Sequence, residues 1–402
     1  MPLSQQLLAA HAFFRQTARL AGDDTQPCTL FFSISDTRQR AHTVHSSASS
    51  FEQAWTCGAR QIEEKLRSLA ARSGEHLPLW LRVERAINIT HITWVALTER
   101  LQRYKRNYFR RGIAFDSQLE CALTEQELNA NAILYGGAQC PHATFNSGNF
   151  AVYAKRRFTG SATSAAVQRV LDQPDSTVYL FDTTGVFCAE DAIAYPLNST
   201  GAETGWRHLA ALTPDTIRST IETASDYLGR QVQTSGQFIY GYFPCFDRPI
   251  NTYNTLRHAS STYSMIEAWA LTEDEILKAA IDRALGYLTQ VLIKPYTLPD
   301  GSAAAFLLDT GNEIKLGGNA VCLLALVKYS EVTGSDHYLP LLEALANGMA
   351  WMQDPASGAF VHVLNAHDLS VKEPFRIIYY DGEAAFGLIR LYALSRNERW
   401  LG

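Results

Sequence analysis

The spacing of apolar positions changes about halfway along the 402-residue chain. Up to about residue 205, short alternating runs mix with helix-spaced ones. Beyond it, long amphipathic segments follow one another with glycine-rich connections. The first pattern is typical of mixed α and β structure, and the second is typical of helical repeats. We therefore predict an α+β domain over 1–205 and an all-α domain of helical hairpins over 206–402.

The elements of the first domain follow from these runs. Strands are predicted at 28–35, 39–47 and 77–87, and helices at 51–71, 92–104 and 125–134. Thr183-Thr184-Gly185 divides residues 177–191 into two short β-type runs, which predicts a hairpin. The stretch 197–205 is rich in Gly, Ser, Thr and Asn, which predicts the linker between the two domains.

Three segments of the second domain resemble one another: 258–272, 319–333 and 381–395. Each is an apolar helix pattern, and their ends at Thr272, Thr333 and Ser395 recur about every 61 residues, enough for two helices and two loops. Those hydroxyls are N-cap candidates for the helices that follow. The repeat predicts stacked hairpins in a ring or arc, with apolar inner helices covered by more polar outer ones.

This repeat resembles the α/α-toroid families that act on carbohydrates, in particular the C-terminal domain of D-glucuronyl C5-epimerases and the N-acylglucosamine 2-epimerase-like group. The resemblance covers 214–402 and rests on repeat texture and a few loop motifs. It implies a helical ring whose loops hold a sugar on one face. Only three hairpins fit into this region, whereas a closed ring of six needs about twice the length. We therefore expect an open arc closed by N-terminal helices, a ring completed by a partner, or an incomplete chain.

The loops that lead into the predicted inner helices carry the candidate chemistry, because such loops gather at one end of a helical ring. The first three loops supply Tyr253, Asn254, Arg257 and His258, then Lys315 and Asn319, then Tyr379, Tyr380, Asp381 and Glu383. A fourth, aromatic-rich connection supplies Tyr240, Tyr242 and Asp247. Sugar rings stack on aromatic faces and need dense polar groups around their hydroxyls, so this mixture suits a glycan.

Glu383, His258 and Tyr380 are the predicted catalytic residues. A carboxyl group at the start of an apolar helix is partly desolvated, so the pKa of Glu383 should rise toward a useful range. The alternative is a first-turn glutamate that favours the helix dipole. His258 is suited to proton transfer, and its alternative is a core histidine bonded to a backbone carbonyl. The 2-epimerase-like group uses two histidines, and only His258 matches in position, which counts against that particular activity.

The remaining loop residues are predicted to bind substrate. They are Arg257, Tyr253, Asn254, Lys315, Asn319, Tyr379, Asp381, Tyr240, Tyr242 and Asp247. Arg257 could hold a carboxylate or phosphate through two hydrogen bonds, or form an internal ion pair. Asp381 is also an N-cap candidate.

Charge and cysteine usage narrow the function classes. A net charge of −5 and a pI near 6.1 make nucleic acid an unfavoured partner. The basic run 103–111 is predicted to pair with Glu120, Glu125 and Glu127, the alternative being a binding site for phosphate, single-stranded nucleic acid or an anionic glycan. Seven widely spaced cysteines without a Cys-x-x-Cys pair favour free thiols over disulfides or zinc. His362, His367 and Asp368 lack metal-ligand spacing.

The N-terminus predicts an amphipathic helix without the basic start of a signal peptide, and no apolar stretch is long enough to span a membrane. We therefore expect a cytoplasmic protein without membrane, metal or cofactor. The predicted function is acid/base chemistry on a sugar or uronic-acid-containing glycan, as an epimerase or as a glycoside hydrolase or lyase. The alternative is a non-catalytic scaffold that binds a glycan or protein partner in polysaccharide synthesis or peptide modification, and self-association stays open.

Overall fold

The computed structural model of the chain describes residues 3–21, 27–37, 40–73, 79–158, 161–191, 193–209, 211–243, 245–246 and 248–401. The chain divides into two compact units. Unit 1 comprises 1–210 with 243–248, and unit 2 comprises 211–242 with 249–402.

Unit 1 is built on a seven-stranded antiparallel sheet in the order β2-β1-β3-β6-β4-β5, with β7 paired to β6. Its strands are β1 (Cys28–Ser35), β2 (His42–Ala48), β3 (Trp80–Thr93), β4 (Gly112–Ala114), β5 (Ala122–Leu123), β6 (Thr177–Cys188) and β7 (Ala194–Pro196). Its helices are α1 (Leu3–Ala21), α2 (Phe51–Ser73), α3 (Trp94–Leu101), α4 (Glu125–Ala130), α5 (Ser147–Arg157) and α6 (Ser161–Asp172). The strands predicted at 28–35 and 39–47 and the helix predicted at 51–71 are found close to their predicted bounds, whereas β3 continues to Thr93, beyond the predicted end at 87.

The hairpin predicted over 177–191 is wrong, because β6 runs unbroken through it. Gly185 pairs with Glu84 of β3, and Thr183 donates a hydrogen bond of 2.7 Å to the Glu84 carboxylate. A Cβ atom on Gly185 would lie 2.8 Å from the Cγ atom of Glu84. The glycine therefore permits two strands to approach closely and does not form a turn.

The linker predicted at 197–205 is an ordered loop of unit 1. The Leu197 N–H donates to the Gly185 carbonyl at 2.9 Å, and the Gly205 N–H donates to the Asn198 carbonyl at 2.7 Å. Thr204 is buried. The small polar residues here form tight turns packed on the sheet, including Gly205 at φ +82°, a conformation that favours glycine.

Unit 2 contains the three inner helices that the repeat predicts, each preceded in sequence by a partner helix. Its helices are α7 (Pro214–Gln231), α8 (Thr255–Thr272), α9 (Glu275–Tyr287, continued by a π-helical turn at Leu288–Leu292), α10 (Leu316–Thr333), α11 (Leu339–Trp351), α12 (Tyr380–Ser395) and a short 3₁₀ turn at Glu398–Leu401. Helix α10 lies between α8 and α12, and these three form the inner row. Helices α7 and α9 pack on α8, whereas α11 packs on α10 and α12.

The position of the middle helix of the row accounts for its apolar sequence. Helix α10 is apolar on nearly every side and contributes Ala320, Cys322, Leu323 and Leu326 to the core of unit 2. A helix with neighbours all round gains free energy from burial on every face, so it shows no amphipathic stripe.

The prediction that this domain is all-α is wrong, because unit 2 also holds a five-stranded antiparallel sheet. Its strands are β10 (Ile293–Thr297), β11 (Ala303–Asp309), β12 (Glu313–Lys315), β13 (Val363–Asn365) and β14 (Val371–Glu373), and the pair β8 (Tyr242–Phe243) and β9 (Arg248–Pro249) stands apart. Strand β12 leads into α10, and β13 and β14 precede α12. The sheet therefore anchors two of the three loops that open the inner helices.

The predicted N-caps at the ends of the inner helices are also wrong. The hydroxyls of Thr272 and Thr333 donate back to the carbonyls of Ala268 and Tyr329, at 3.1 and 2.8 Å. Helix α9 is capped instead by Asp274, whose carboxylate accepts the Ile276 N–H at 2.7 Å. A threonine in the last turn bonds to its own helix more readily than to the next one.

Among the described residues, no helix is both long and apolar enough to cross a membrane. The seven cysteines all lie within the described residues, and none of them forms a disulfide.

Candidate functional site

The N-terminal ends of α10 and α12 are in direct contact, as the repeat predicted for the inner helices. The backbone of Gly317, on the first turn of α10, faces the Tyr380 ring and the Glu383 carboxylate of α12. A Cβ atom at Gly317 would lie 2.7 Å from the Glu383 Oε2 atom. Glycine at this position lets the two helix ends come into contact, and it places the start of α10 against two predicted catalytic residues of α12.

Helix α8 joins this group of helix ends through Asp309 at the end of β11. The buried Asp309 carboxylate accepts hydrogen bonds from the N–H and hydroxyl of Thr255, both at 3.3 Å. Its other oxygen receives the Lys315 ammonium group at 2.6 Å. One carboxylate therefore links the first residue of α8 to the residue that precedes α10, which holds the three helix ends in register.

Glu383 is the unusual group of this cluster. Its Oε2 atom is buried and accepts no hydrogen bond from the described residues. Burial raises the pKa of the Glu383 carboxyl above its ordinary value. A buried carboxylate oxygen without a donor costs free energy, and native structures keep few of them. The predicted desolvation of Glu383 is therefore present.

Tyr380 lies in the same contact between α10 and α12 as Glu383. Burial raises the pKa of its hydroxyl, opposed by the positive charges of Lys315 and Arg376. The Glu383 carboxylate acts in the same direction as burial. Phenol, carboxyl and ammonium groups are therefore close enough to influence one another electrostatically.

A network of charges beside Lys315 was not anticipated from the sequence. The Glu313 carboxylate of β12 pairs with Lys315 at 3.2 Å, with Lys372 at 2.7 Å and with Arg376 at 3.1 Å. Hydrogen bonds from Arg376 and Lys372 hold the pKa of the Glu313 carboxyl at about 2. Arg376 also pairs with Glu373. Lys315 is thus engaged by two internal carboxylates, which favours a structural role for it.

A second unanticipated contact orients Asp381. The fully buried His362 accepts hydrogen bonds at Nδ1 from the Arg376 and Ile377 N–H groups, at 2.8 and 3.2 Å. Its Nε2–H group therefore faces the Asp381 carboxylate, at 3.3 Å. Asp381 is not the N-cap of α12, since Tyr379 takes that position without a side-chain hydrogen bond. The spacing of His362 along the chain gave no signal of this contact.

A separate cavity of about 150 Å³ lies between α7, α8 and the loop that joins them. Tyr240, Tyr242, Tyr253, Asn254 and Arg257 line it together with apolar side chains. Arg257 is exposed and forms no ion pair with a described residue. Five predicted substrate-binding residues thus share one concave surface, and aromatic walls beside a free guanidinium group suit a sugar with an anionic group.

His258 also lines this cavity but is almost completely buried. Its Nε2 atom lies 2.9 Å from the Ala284 carbonyl and so carries the proton, which leaves Nδ1 to accept the Tyr253 hydroxyl at 2.7 Å. Burial lowers the pKa of His258 to about 4 and raises that of Tyr253 to about 12. Both ring nitrogens are occupied, so this geometry favours the core histidine over the proton shuttle.

This burial predicts an acid-sensitive fold. Above pH 6.5 the neutral His258 contributes its full stability, because folded and unfolded chains are both deprotonated. As pH falls from 6.5 to about 4, His258 binds a proton in the unfolded state but not in the folded state, so the free energy of unfolding decreases. We expect the melting temperature, followed by circular dichroism, to fall less steeply across this window in His258→Gln than in the wild type.

The exposed His367 provides the control, and His367→Gln should keep the wild-type slope. His45 in unit 1, whose pKa is also lowered by burial to about 4, should give every variant a residual slope. If the melting temperature of His258→Gln fell with pH as steeply as that of the wild type, His258 would not be the buried neutral histidine described here.

Three other predicted residues are not part of the Glu383 cluster or of the Arg257 cavity. Asn319 is fully buried, and its side chain hydrogen-bonds to the Leu307 N–H at 2.7 Å and the Lys315 carbonyl at 2.9 Å, which is a structural role. Tyr379 is exposed at the start of α12. Asp247 lies outside the described residues.

The basic segment 103–111 is largely used within unit 1. Arg110 pairs with the buried Glu125 at 3.2 Å, as predicted, whereas Arg111 pairs with Asp182 at 2.8 Å. Glu127 pairs instead with Arg157 of α5. The described residues contain no group of three or more His, Cys, Asp or Glu side chains placed to hold a metal ion.

Comparison with known proteins gives distant structural likenesses. No family profile and no curated protein matches the sequence. A D-mannose isomerase structure is similar at TM-score 0.39 and 16% identity, over 48% of this chain and 50% of that one. The cellobiose 2-epimerase of Bacillus thermoamylovorans B4167 gives 0.37 and 12%, over 46% and 53%. A family 76 glycoside hydrolase from a bovine Bacteroides thetaiotaomicron strain gives 0.32 and 9%, over 94% and 71%.

The matched part of this chain spans about half the length of the first two structures. These three proteins are, by description, sugar isomerising and glycoside-cleaving enzymes. With TM-scores below 0.5, the likenesses do not assign an activity to this chain, and the resemblance to glucuronyl C5-epimerases stays a prediction.

Proposed function

We propose that unit 2 binds a sugar or uronic-acid-containing glycan at the N-terminal ends of its inner helices, and that Glu383 transfers a proton to or from that ligand. The observation that carries this proposal is the buried, unpartnered Oε2 atom of Glu383. A fold does not gain stability from such an atom, so a role with a bound ligand accounts for it.

Glu383 has the chemistry that the role requires. A carboxyl group is an efficient acid and base near neutrality when its pKa is raised toward the working pH, and burial acts on Glu383 in that direction. Tyr380 supplies a hydroxyl beside it. In an epimerisation, one group removes a proton from a sugar carbon, and a second group returns a proton to the opposite face.

Glycoside cleavage would require a second carboxylate beside Glu383, and the helix geometry does not favour Glu267 of α8 for this role. The two helices begin at the same level, because Asp309 and Gly317 tie the three helix ends together. Glu267 lies twelve residues along α8, about 18 Å from its start, whereas Glu383 lies about 4.5 Å along α12. Their separation exceeds the roughly 6.5–9.5 Å of an inverting pair. Glu267 is also paired with Lys328, at 3.3 Å.

A second candidate function is non-catalytic glycan binding. The internal bonding of Lys315 and His258 favours it, because two of the predicted polar residues are held by the protein itself. In this case the aromatic cavity with Arg257 would hold the glycan, and no group of the protein would react with it.

Hydrogen exchange separates the two candidates. The full chain would be incubated in D₂O with glucose, mannose, cellobiose and glucuronate-containing oligosaccharides. Enzymatic proton transfer should replace one carbon-bound hydrogen of the reacting sugar with deuterium, which proton NMR detects as loss of a signal. New reducing ends would reveal cleavage instead. A melting temperature raised by a sugar without either reaction would support the binding function.

The variant Glu383→Gln should slow exchange by about a hundredfold or more. Glu275→Gln, which changes an exposed first-turn glutamate on outer helix α9, should leave the exchange rate unchanged. Exchange at the wild-type rate in Glu383→Gln would exclude Glu383 as the proton-transfer group. A panel that neither reacts nor raises the melting temperature would count against both candidates.

A further inference from the structure

We infer that unit 1 carries a binding site of its own for a polyhydroxylated anion of sugar size, in a cavity formed by β3, α4 and the loop at 198–207. The cavity measures about 450 Å³, within the usual range of small-molecule pockets. All of its lining residues belong to unit 1, so the site does not depend on the function proposed for unit 2.

The floor of this cavity is a fixed polar network centred on Glu125, which is only 4% exposed. Its carboxylate receives Arg110 at 3.2 Å, the Asn129 amide at 2.9 Å and the Gln126 amide at 2.5 Å. These bonds set the orientation of all three neighbouring side chains. The remaining polar atoms of those side chains are therefore held in place before any ligand arrives.

Three of those remaining atoms have no partner. The Nε of Arg110, the Oε1 of Gln126 and the Oδ1 of Asn129 are buried and form no hydrogen bond with the described residues. Each belongs to a residue that lines the cavity. Buried polar atoms are normally satisfied. Two acceptors and one donor among the lining residues match ligand hydroxyl groups, which can both donate and accept.

The mouth of the cavity is positively charged and aromatic. Three arginines line the cavity, and two of them, Arg82 and Arg110, are paired with Glu84 and Glu125, which leaves Arg207 as its uncompensated cation. Arg207 lies over the Phe187 and Tyr195 rings, at 5.6 and 5.1 Å, and pairs with no described carboxylate. Trp206 is 67% exposed beside it. A free guanidinium group selects an anion, and an exposed indole face suits the apolar face of a sugar ring.

The loop that carries Trp206 and Arg207 is held against the sheet. Arg82 donates to the Gly205 carbonyl at 3.0 Å while its guanidinium pairs with the buried Glu84 at 2.8 Å. A Cβ atom at Gly205 would lie 2.6 Å from the Arg82 Nη2 atom, so a side chain there would displace that contact. The mouth is thus preformed, which lowers the entropy cost of binding.

Calorimetric titration of the full chain tests the site with four probes: D-glucuronate, glucose 6-phosphate, D-glucose and inorganic phosphate. We expect D-glucuronate to bind and D-glucose to bind at least about tenfold more weakly, because it lacks the charge that Arg207 recognises. Arg207→Gln should weaken D-glucuronate binding by about tenfold to a hundredfold. Trp206→Ala should also weaken it. Both residues are exposed, so both variants should keep the wild-type circular dichroism spectrum.

Arg399→Gln is the matched control, since Arg399 is an exposed arginine over an aromatic ring, 5.2 Å from Trp400, in unit 2. It should bind D-glucuronate as the wild type does. Tighter binding of glucose 6-phosphate than of D-glucuronate would support the site and identify phosphate as its charged group. Inorganic phosphate that binds as tightly as either sugar would reduce the site to a simple anion site and overturn the inference.

Failure of all four probes to bind, or full binding by Arg207→Gln, would also overturn it. The Glu383→Gln variant separates this result from the function proposed for unit 2. Sugar binding that is lost in Glu383→Gln but kept in Arg207→Gln belongs to unit 2, and the reverse pattern belongs to unit 1.

Discussion

Replacing Glu383 with glutamine is expected to raise the thermal stability of the protein near neutral pH while reducing proton-transfer activity by about a hundredfold to ten-thousandfold. The carboxyl has a raised pKa in the folded state, so it opposes folding once it is ionised. This penalty is absent below the unfolded pKa of about 4.3. It grows as pH rises toward the folded pKa and then stays constant. Glutamine removes the charge and keeps the shape.

The pH dependence makes the prediction specific. The melting temperatures of wild type and Glu383→Gln should agree near pH 4 and should diverge above it, with the variant the more stable. Glu275→Gln serves as control, because Glu275 is an exposed first-turn glutamate whose main effect is on the helix dipole. It should lose a little stability at neutral pH. If Glu383→Gln behaves like this control, Glu383 is a dipole residue and the proposed function loses its main support.

A single methyl group at Gly317 should destabilise the protein by about 1–3 kcal/mol, the usual cost of overfilling a packed interior. The added Cβ atom would meet the Tyr380 ring and lie 2.7 Å from the Glu383 Oε2 atom. Both side chains are held on the first turn of α12, so relief requires α10 and α12 to separate. That movement would also misplace Glu383, and activity should fall together with stability.

Gly382 offers a matched control within the same contact region. It also lies in the first turn of an inner helix, but a Cβ atom there would have nothing within 4 Å. Gly382→Ala should therefore be neutral or stabilise by up to about 1 kcal/mol, because alanine is the better helix former. Chemical denaturation of both variants measures the difference. Equal free energies of unfolding would show that the two helix ends do not meet as described.

Several elements could be predicted because their cause is local. The composition of the run Cys28 to Ser35 predicts a strand, and the structure confirms it as β1. The three apolar segments near residues 258, 319 and 381 become the inner row of helices, since each carries enough helix-forming apolar surface to specify both its type and its need for neighbours. The position of Glu383 on the first turn of α12 followed from the same pattern.

Other features depended on contacts between distant segments. Strand β11, Ala303 to Asp309, has a composition that suits a helix as well as a strand, and pairing with β10 and β12 decides it. Gly185 resembles a turn residue until β3 lies against it. The hydrogen bonds that occupy His258 come from Tyr253 and from Ala284 of another helix, so its core position could not be known from its neighbours in sequence.

The order of an α+β region and a helical region, the period of the helical repeat and the loops that open the inner helices all follow from the sequence alone. Periodicity records which face of a segment must be buried, and that information is local. Which polar groups have hydrogen-bond partners depends on the fold. Lys315 and His258 found internal partners, whereas the Oε2 atom of Glu383 and the polar atoms around Glu125 did not. Hydrogen-bond satisfaction depends on distances of about 3 Å between residues far apart in sequence, and periodicity does not encode those distances.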